Sequence, residues 1–171
     1  VNFVCATLFI LCELPTDSLD YDYQKKFVHE ITNCALKHNT NVYPYDRIPI
    51  LIVQAQSIQE SNWGRSRFAV EGKNYFGIKE YNLSEPHMKA KLRPNADWGL
   101  RKYHSMCDSV EDYMNLLSTS YKYEEFQELL LMQWFKNKVD LFALVDTLYN
   151  YAENPEYEEE IKNLIKKLED M

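Results

Sequence analysis

Apolar residues recur at helical spacing toward both ends of the chain and lose that period in the middle. From Asp22 to Asn39, Phe27, Ile31 and Cys34 or Ala35 share one face while Lys25, Lys26, Glu30 and Lys37 take the other, the pattern of an amphipathic helix. A break from Asn39 to Pro44 follows. A second helix is expected from about Asp46, with Pro49 in its first turn, where a missing N–H costs little, and with Leu51, Ile52, Ala55 and Ile58 buried. Gly64 is well placed to end it. Between Gly72 and Ser105 the turn formers Gly72, Asn74, Gly77, Asn82, Pro86, Pro94, Asn95 and Gly99 predict a lobe of loops with room for one short hairpin. Ser109 and Asp112 resemble a capping box opening a helix along Val110, Tyr113, Met114 and Leu117. Phe126 to Phe135, Asp140 to Tyr151 and Pro155 to Leu168 show the same period, the last with Asn154 as cap. Trp134 and Phe142 fall in these stripes and are assigned to the core. The expected fold is mainly α (α+β): an N-terminal extension at 1–21, then a single domain at 22–171 with an irregular or β lobe at about 72–105.

The apolar run Phe3 to Cys12 is too short for a membrane span of about twenty residues. It lacks the basic segment before it and the A-x-A-like cleavage site of a complete signal peptide, and reads as a packed element or the tail of an h-region. Composition adds exclusions. With 171 residues, 46% of them apolar, the chain can bury the core of one domain. A net charge of -7 provides no basic stripe for a phosphate backbone, so nucleic acid is not an expected partner. Cys5, Cys12, Cys34 and Cys107 lack metal-binding spacing and read as small apolar residues rather than a disulfide framework. His29, His38, His87 and His104 form no ligand pair, so neither a metal nor another cofactor is expected.

Chemistry-bearing residues are densest in Gln54-Ala-Gln-Ser-Ile-Gln-Glu60-Ser-Asn-Trp63-Gly64-Arg-Ser66 and in Asn74-Tyr-Phe76-Gly77-Ile-Lys79. Glu60 ends a helix beside the negative pole of its dipole, which favours the protonated carboxyl. An indole at Trp63 packed over that carboxyl would add desolvation. Such a group could protonate a departing sugar oxygen, which is too poor a leaving group as an alkoxide. Ser61 and Ser66 have no plausible histidine partner, and Ser61 reads as a local cap. Trp98, Tyr75 and Tyr81 belong to the central lobe and could stack on sugar rings.

The string QAQSIQESNWGRSRFAVEGKNYFGIK resembles the signature of the peptidoglycan N-acetylglucosaminidases, glycoside hydrolase family seventy-three, with mannosyl-glycoprotein endo-beta-N-acetylglucosaminidase-like domains. The resemblance continues through RKYHSMCDSVEDYMNLLSTSYKY and YNYAENPEYEEEIKNLI, so it spans about Lys25 to Leu168, and it is nearest in pattern to the Bax-like branch. It implies a lysozyme-like helical fold with a small β lobe, acting on the β-1,4-linked GlcNAc–MurNAc strands of bacterial cell wall. The family's catalytic glutamate maps onto Glu60 and an active-site tyrosine onto Tyr151. Trp63, Asn74, Phe76, Tyr103 and Trp98 are the expected substrate-binding residues. The threonine-rich strand that carries a second glutamate in many members is not reproduced here; Glu80, Glu85 and Asp97 are the available acids. The resemblance implies action in a secreted, periplasmic or wall-associated setting, or from a phage-encoded protein; the oligomeric state is open, with a monomer favoured. Two other readings stand beside it. One is a glycan-binding or virion structural module without turnover. The other is a lytic transglycosylase, against which the Trp63-Gly64 step after Glu-Ser argues.

Overall fold

The computed structural model describes residues 16–91 and 93–171, so the readings placed on Phe3 to Cys12, and on Cys5 and Cys12, lie outside the described residues. The elements are α1 (Thr16–Thr40), a 3-10 turn (Pro44–Asp46), α2 (Ile50–Ser61), α3 (Arg67–Gly72), β1 (Lys79–Glu80), β2 (His87–Met88), β3 (Gly99–Arg101), α4 (Met106–Thr119), a 3-10 turn (Tyr121–Tyr123), α5 (Glu124–Phe135), α6 (Leu141–Asp146) and α7 (Tyr157–Glu169). Helix α1 starts before Asp22. Its first turns join the domain through Asp20, which pairs with Arg65, and through Tyr21, whose hydroxyl donates to the Met171 carbonyl.

Helix α2 is the centre of the molecule. Residues 52 to 58 are all buried, as expected of a helix covered on every side rather than one with a single apolar stripe. It packs on α1 and α7, and α1 packs on α4. Its buried polar groups are paired: the Gln54 amide donates to Thr32 Oγ1 at 2.6 Å and the Ser57 hydroxyl to the Gln54 carbonyl at 2.7 Å. These bonds remove the desolvation cost that would otherwise oppose placing amides and hydroxyls inside.

The central lobe holds a three-stranded antiparallel sheet in the order β1-β3-β2, one strand more than the single hairpin expected. Lys79 faces Leu100 and His87 faces Arg101 across the central strand. Such short strands are held by side chains as well as by their ladder. The Glu80 carboxylate binds Arg101 Nε at 2.9 Å, and Arg101 Nη1 reaches Asp112 at 2.7 Å.

Several local expectations are corrected. Helix α2 ends at Asn62, not Gly64: Asn62, Trp63 and Gly64 take left-handed φ values of 50, 59 and 75° in succession, which reverses the chain. The capping box of α4 is Ser105 with Asp108, because Asp112 is occupied by Arg101 and Tyr103. Trp134 is 45% exposed and rests edge-on against Tyr45, so it is not a core residue. Cys34 and Cys107 form a disulfide, with Cα atoms 4.8 Å apart across 73 residues. The packing of α1 on α4 creates that proximity, which spacing along the chain does not carry.

Candidate functional site

A cleft of about 520 Å³ opens between the helical body and the sheet. Glu60 from the last turn of α2 stands on one side, Phe76 to Lys79 and Tyr81 form the wall toward the sheet, and Lys122, Tyr123 and Tyr151 to Glu153 complete it. Gly77 lies directly against the acid. It has φ of 67°, and a Cβ there would sit 3.2 Å from a Glu60 oxygen, so both the backbone and the space call for glycine.

Burial pushes the Glu60 carboxyl up to about 6, and a hydrogen bond from the Tyr157 hydroxyl partly opposes this. The desolvating groups are tyrosines rather than the expected indole. Tyr113, Tyr123, Tyr151 and Tyr157 all lie near enough to feel the Glu60 charge, and burial holds each of their hydroxyls above its ordinary range, Tyr123 at about 12. They are therefore neutral near pH 7, and the carboxyl is enclosed by aromatic faces and undissociated hydroxyls.

A buried polar chain fixes its orientation. The Tyr113 hydroxyl donates to Gln56 Oε1, and Gln56 Nε2 donates to the Tyr157 hydroxyl oxygen at 2.8 Å. Tyr157 then has its proton free for Glu60. Because Gln56 precedes Glu60 by one helical turn, both project from the same face of α2 toward α7. Substituting Tyr157→Phe removes the hydrogen bond that favours the Glu60 carboxylate. The acid's apparent pKa should therefore rise, moving the falling limb of kcat/KM to higher pH by about one unit. A pH–rate profile with that limb unmoved or lowered would sink this assignment.

Tyr151 lines the same cleft as Glu60. Its hydroxyl donates to the Phe76 carbonyl at 2.8 Å and its ring stacks on Tyr157 at 5.8 Å, so it pins the wall that faces the acid. Phe76 is also at the cleft, its ring stacked on Tyr113 at 4.0 Å and almost wholly covered, which leaves chiefly its backbone for a ligand. Tyr81 lies on the wall and is 68% exposed.

Other candidates are placed elsewhere. The left-handed turn at Asn62 and Trp63 sends the indole to α1, edge-on against Phe27, and Tyr23 donates to the Trp63 carbonyl at 3.1 Å. Trp63 lines a separate pocket with Tyr21 and Leu164. Tyr75 is buried against Phe27. Asn74 is spent on the backbone: its amide donates to the Ile78 and Arg101 carbonyls, both at 2.9 Å, and its oxygen accepts from the Ile78 N–H at 3.1 Å. Tyr103 donates to Asp112 at 2.6 Å, and Trp98 lies under the Lys79 ammonium at 4.6 Å, one residue back from the cleft.

Of the proposed second acids, Glu80 is held below the usual carboxylate range, first by the Asn82 N–H and further by Arg101, and its oxygens are used within the lobe. Glu85 and Asp97 are exposed loop residues that do not line the cleft. Glu153, not singled out from the sequence, does line it. Gln56, Tyr113, Tyr123 and Tyr157 were likewise missed. Their only trace in the sequence is a glutamine one turn before the key glutamate and tyrosines inside apolar stripes. Among the described residues no group of three His, Cys, Asp or Glu side chains could hold a metal ion.

A helical body, a small antiparallel sheet and one desolvated carboxyl at their junction define the lysozyme-like class of fold. The catalytic domain of the autolysin Auto from Listeria monocytogenes superposes with a TM-score of 0.64 at 22% identity, covering 99% of this chain and 97% of that one. The glycoside hydrolase domain of Salmonella typhimurium FlgJ gives 0.63 at 21% identity, over 86% and 89% of the two chains. Exo-glucosaminidase LytG of Bacillus subtilis (strain 168) is 25% identical over 174 residues, which is 96% of this chain; the chain spans 59% of the length of LytG. Residues 41–170 match the glucosaminidase family, described as mannosyl-glycoprotein endo-beta-N-acetylglucosaminidase. The chain belongs to that family.

Proposed function

We propose that the domain hydrolyses the β-1,4 bond between N-acetylglucosamine and N-acetylmuramic acid in peptidoglycan, with Glu60 as general acid. One observation carries this reading: a carboxyl at the end of α2, raised to about 6 and aimed into an open cleft, retains a proton in mildly acidic solution. That proton goes to the glycosidic oxygen as its bond to the anomeric carbon breaks. Tyr151 stays neutral and holds the Phe76 carbonyl, fixing the wall against which the reacting sugar lies. Tyr81, exposed on the cleft wall, would flank a neighbouring sugar, while Trp98 acts from behind that wall by carrying the Lys79 ammonium.

Among the described residues Glu60 and Glu153 are the carboxylates on the cleft walls. Water guided by Glu153 would invert the anomeric centre; attack by the substrate's own acetamido oxygen would retain it. The site of action is outside the cytoplasm, an assignment supported by the disulfide, a bond that persists in oxidising compartments. No helix among the described residues is long and apolar enough to cross a membrane.

The test is mass spectrometry of fragments released from purified peptidoglycan across pH, with NMR of the first product. Reducing N-acetylglucosamine ends are expected, and the anomer seen first distinguishes the two attack modes. Because the acid must be protonated, kcat/KM should fall about tenfold per unit above pH 6. Reducing muramic ends would make the protein a muramidase, anhydro ends a transglycosylase, and absence of fragments a binding module.

A further inference from the structure

Two cations stand on the cleft walls without an acidic partner among the described residues. Lys79 projects from β1 and Lys122 from the 3-10 turn Tyr121–Tyr123, and both line the cleft that holds Glu60. Each ammonium is steadied over a ring: Lys79 over Trp98 at 4.6 Å and Lys122 over Tyr123 at 5.4 Å. Among the described residues no carboxylate lies within ion-pair distance of either. Glu153 shares the wall but pairs with neither.

The two lysines are near enough to repel. Burial, and after it the charge of Lys79, lowers the Lys122 pKa. Like charges facing one another cost stability and are useful where an anion completes the site. Glu60 cannot be that anion in its acid form. Lys122 also lines an adjoining groove of about 430 Å³ edged by Tyr121 and Tyr149 and by the acids Glu124 and Glu125, so a glycan longer than the cleft would run past it and meet Lys122 as that groove's cation.

The reading of the cleft as a cell-wall glycan site, on which this inference rests, supplies an anion of suitable chemistry. The strand alternates a neutral sugar with one whose lactyl ether ends in a carboxyl, either free or extended by an acidic peptide stem. We propose that Lys79 and Lys122 form an anion-reading pair that engages the carboxylate borne by a muramyl residue and so favours cell-wall glycan over an all-GlcNAc chain.

The experiment uses calorimetric titration of Glu60→Gln protein, which binds without turnover, carrying Lys79→Met, Lys122→Met or both. The ligands are chitotetraose, a peptide-free GlcNAc–MurNAc tetrasaccharide, its carboxyl-reduced form, and the tetrasaccharide with peptide stems. Loss of two charge-assisted contacts should weaken the anionic ligand roughly 10- to 100-fold in the double variant. The loss on chitotetraose and on the reduced ligand should be at least ten times smaller, and added salt should shrink the difference. A response confined to the free-carboxyl ligand would assign the lactyl carboxylate, and one confined to the stem-bearing ligand would assign the peptide. Equal losses on neutral and anionic ligands, or no loss, would overturn the proposal. Fragment release by wild-type protein is scored separately: discrimination without release would keep the lysine pair and remove the hydrolase.

Discussion

Replacing Glu60 by glutamine should reduce turnover roughly 10²- to 10⁴-fold, the usual worth of a general acid, and should make the domain more stable at neutral pH. The second half follows from the raised pKa. At pH 4 the carboxyl is largely protonated in both folded and unfolded chains, so its burial costs little. As pH rises through the ordinary value of 4.5 the unfolded chain releases its proton, while the folded chain holds on until about 6. The unfolded state therefore gains across that window, and above it the folded state carries a constant penalty of about 2 kcal/mol, taking roughly 1.4 kcal/mol per pKa unit. Glutamine keeps an oxygen for the Tyr157 hydroxyl and has no charge to desolvate. Thermal melts at pH 4 and 7 should show a gain of several degrees at pH 7 only. A variant that is inactive and less stable at pH 7 would place Glu60 in the architecture instead of the chemistry.

That tension between function and stability also separates what could be read along the chain from what could not. The amphipathic period of α4 and α7 is visible because each helix has one exposed face, and all their buried apolar residues sit on the other. The position of Glu60 at a helix end, and the turn at Gly77 that meets it, are equally local properties. Its environment is not local. Gln56 meets Tyr157 across 101 residues and Tyr113 across 57, pairings set by how α7 packs on α2 and by how α4, packed on α1, brings Tyr113 to it. Nothing in the periodicity distinguishes those tyrosines from ordinary core residues. Trp63 shows the opposite failure. Three residues past Glu60 it would lie on the same helix face, but the left-handed residues Asn62 and Trp63 end the helix and turn the indole to Phe27. Asn74, expected at the substrate, instead binds four backbone groups of the lobe through its side chain, a role set by the folded lobe and not by its neighbours in sequence. The disulfide failed to register because four scattered cysteines carry no pairing information until α1 and α4 are packed.

Breaking that disulfide is expected to remove a large share of the domain's stability. Closing a loop across 73 residues removes chain entropy from the unfolded state, which in that account is worth about 4 kcal/mol. At 2–4 °C per kcal/mol for a domain of this size, Cys34→Ser with Cys107→Ser, or reduction of the wild type, should lower the melting temperature by roughly 10 °C. The bond lies away from the cleft, in a groove lined by Lys37, His38 and Glu111, so its loss should not touch the acid directly. Yet α4 carries Tyr113, the first donor in the chain that orients Glu60, and α1 is the helix to which α4 is tied. Activity well below the new melting point should therefore stay within several-fold of the wild type, with the falling limb of the pH profile unmoved, whereas activity near it should collapse. Melting curves with and without reductant, paired with rates at two temperatures, separate these effects. An unchanged melting temperature on complete reduction would show that helix packing alone holds α1 to α4. A shifted limb at low temperature would show that the disulfide sets the position of Tyr113, making the cross-link part of the catalytic geometry.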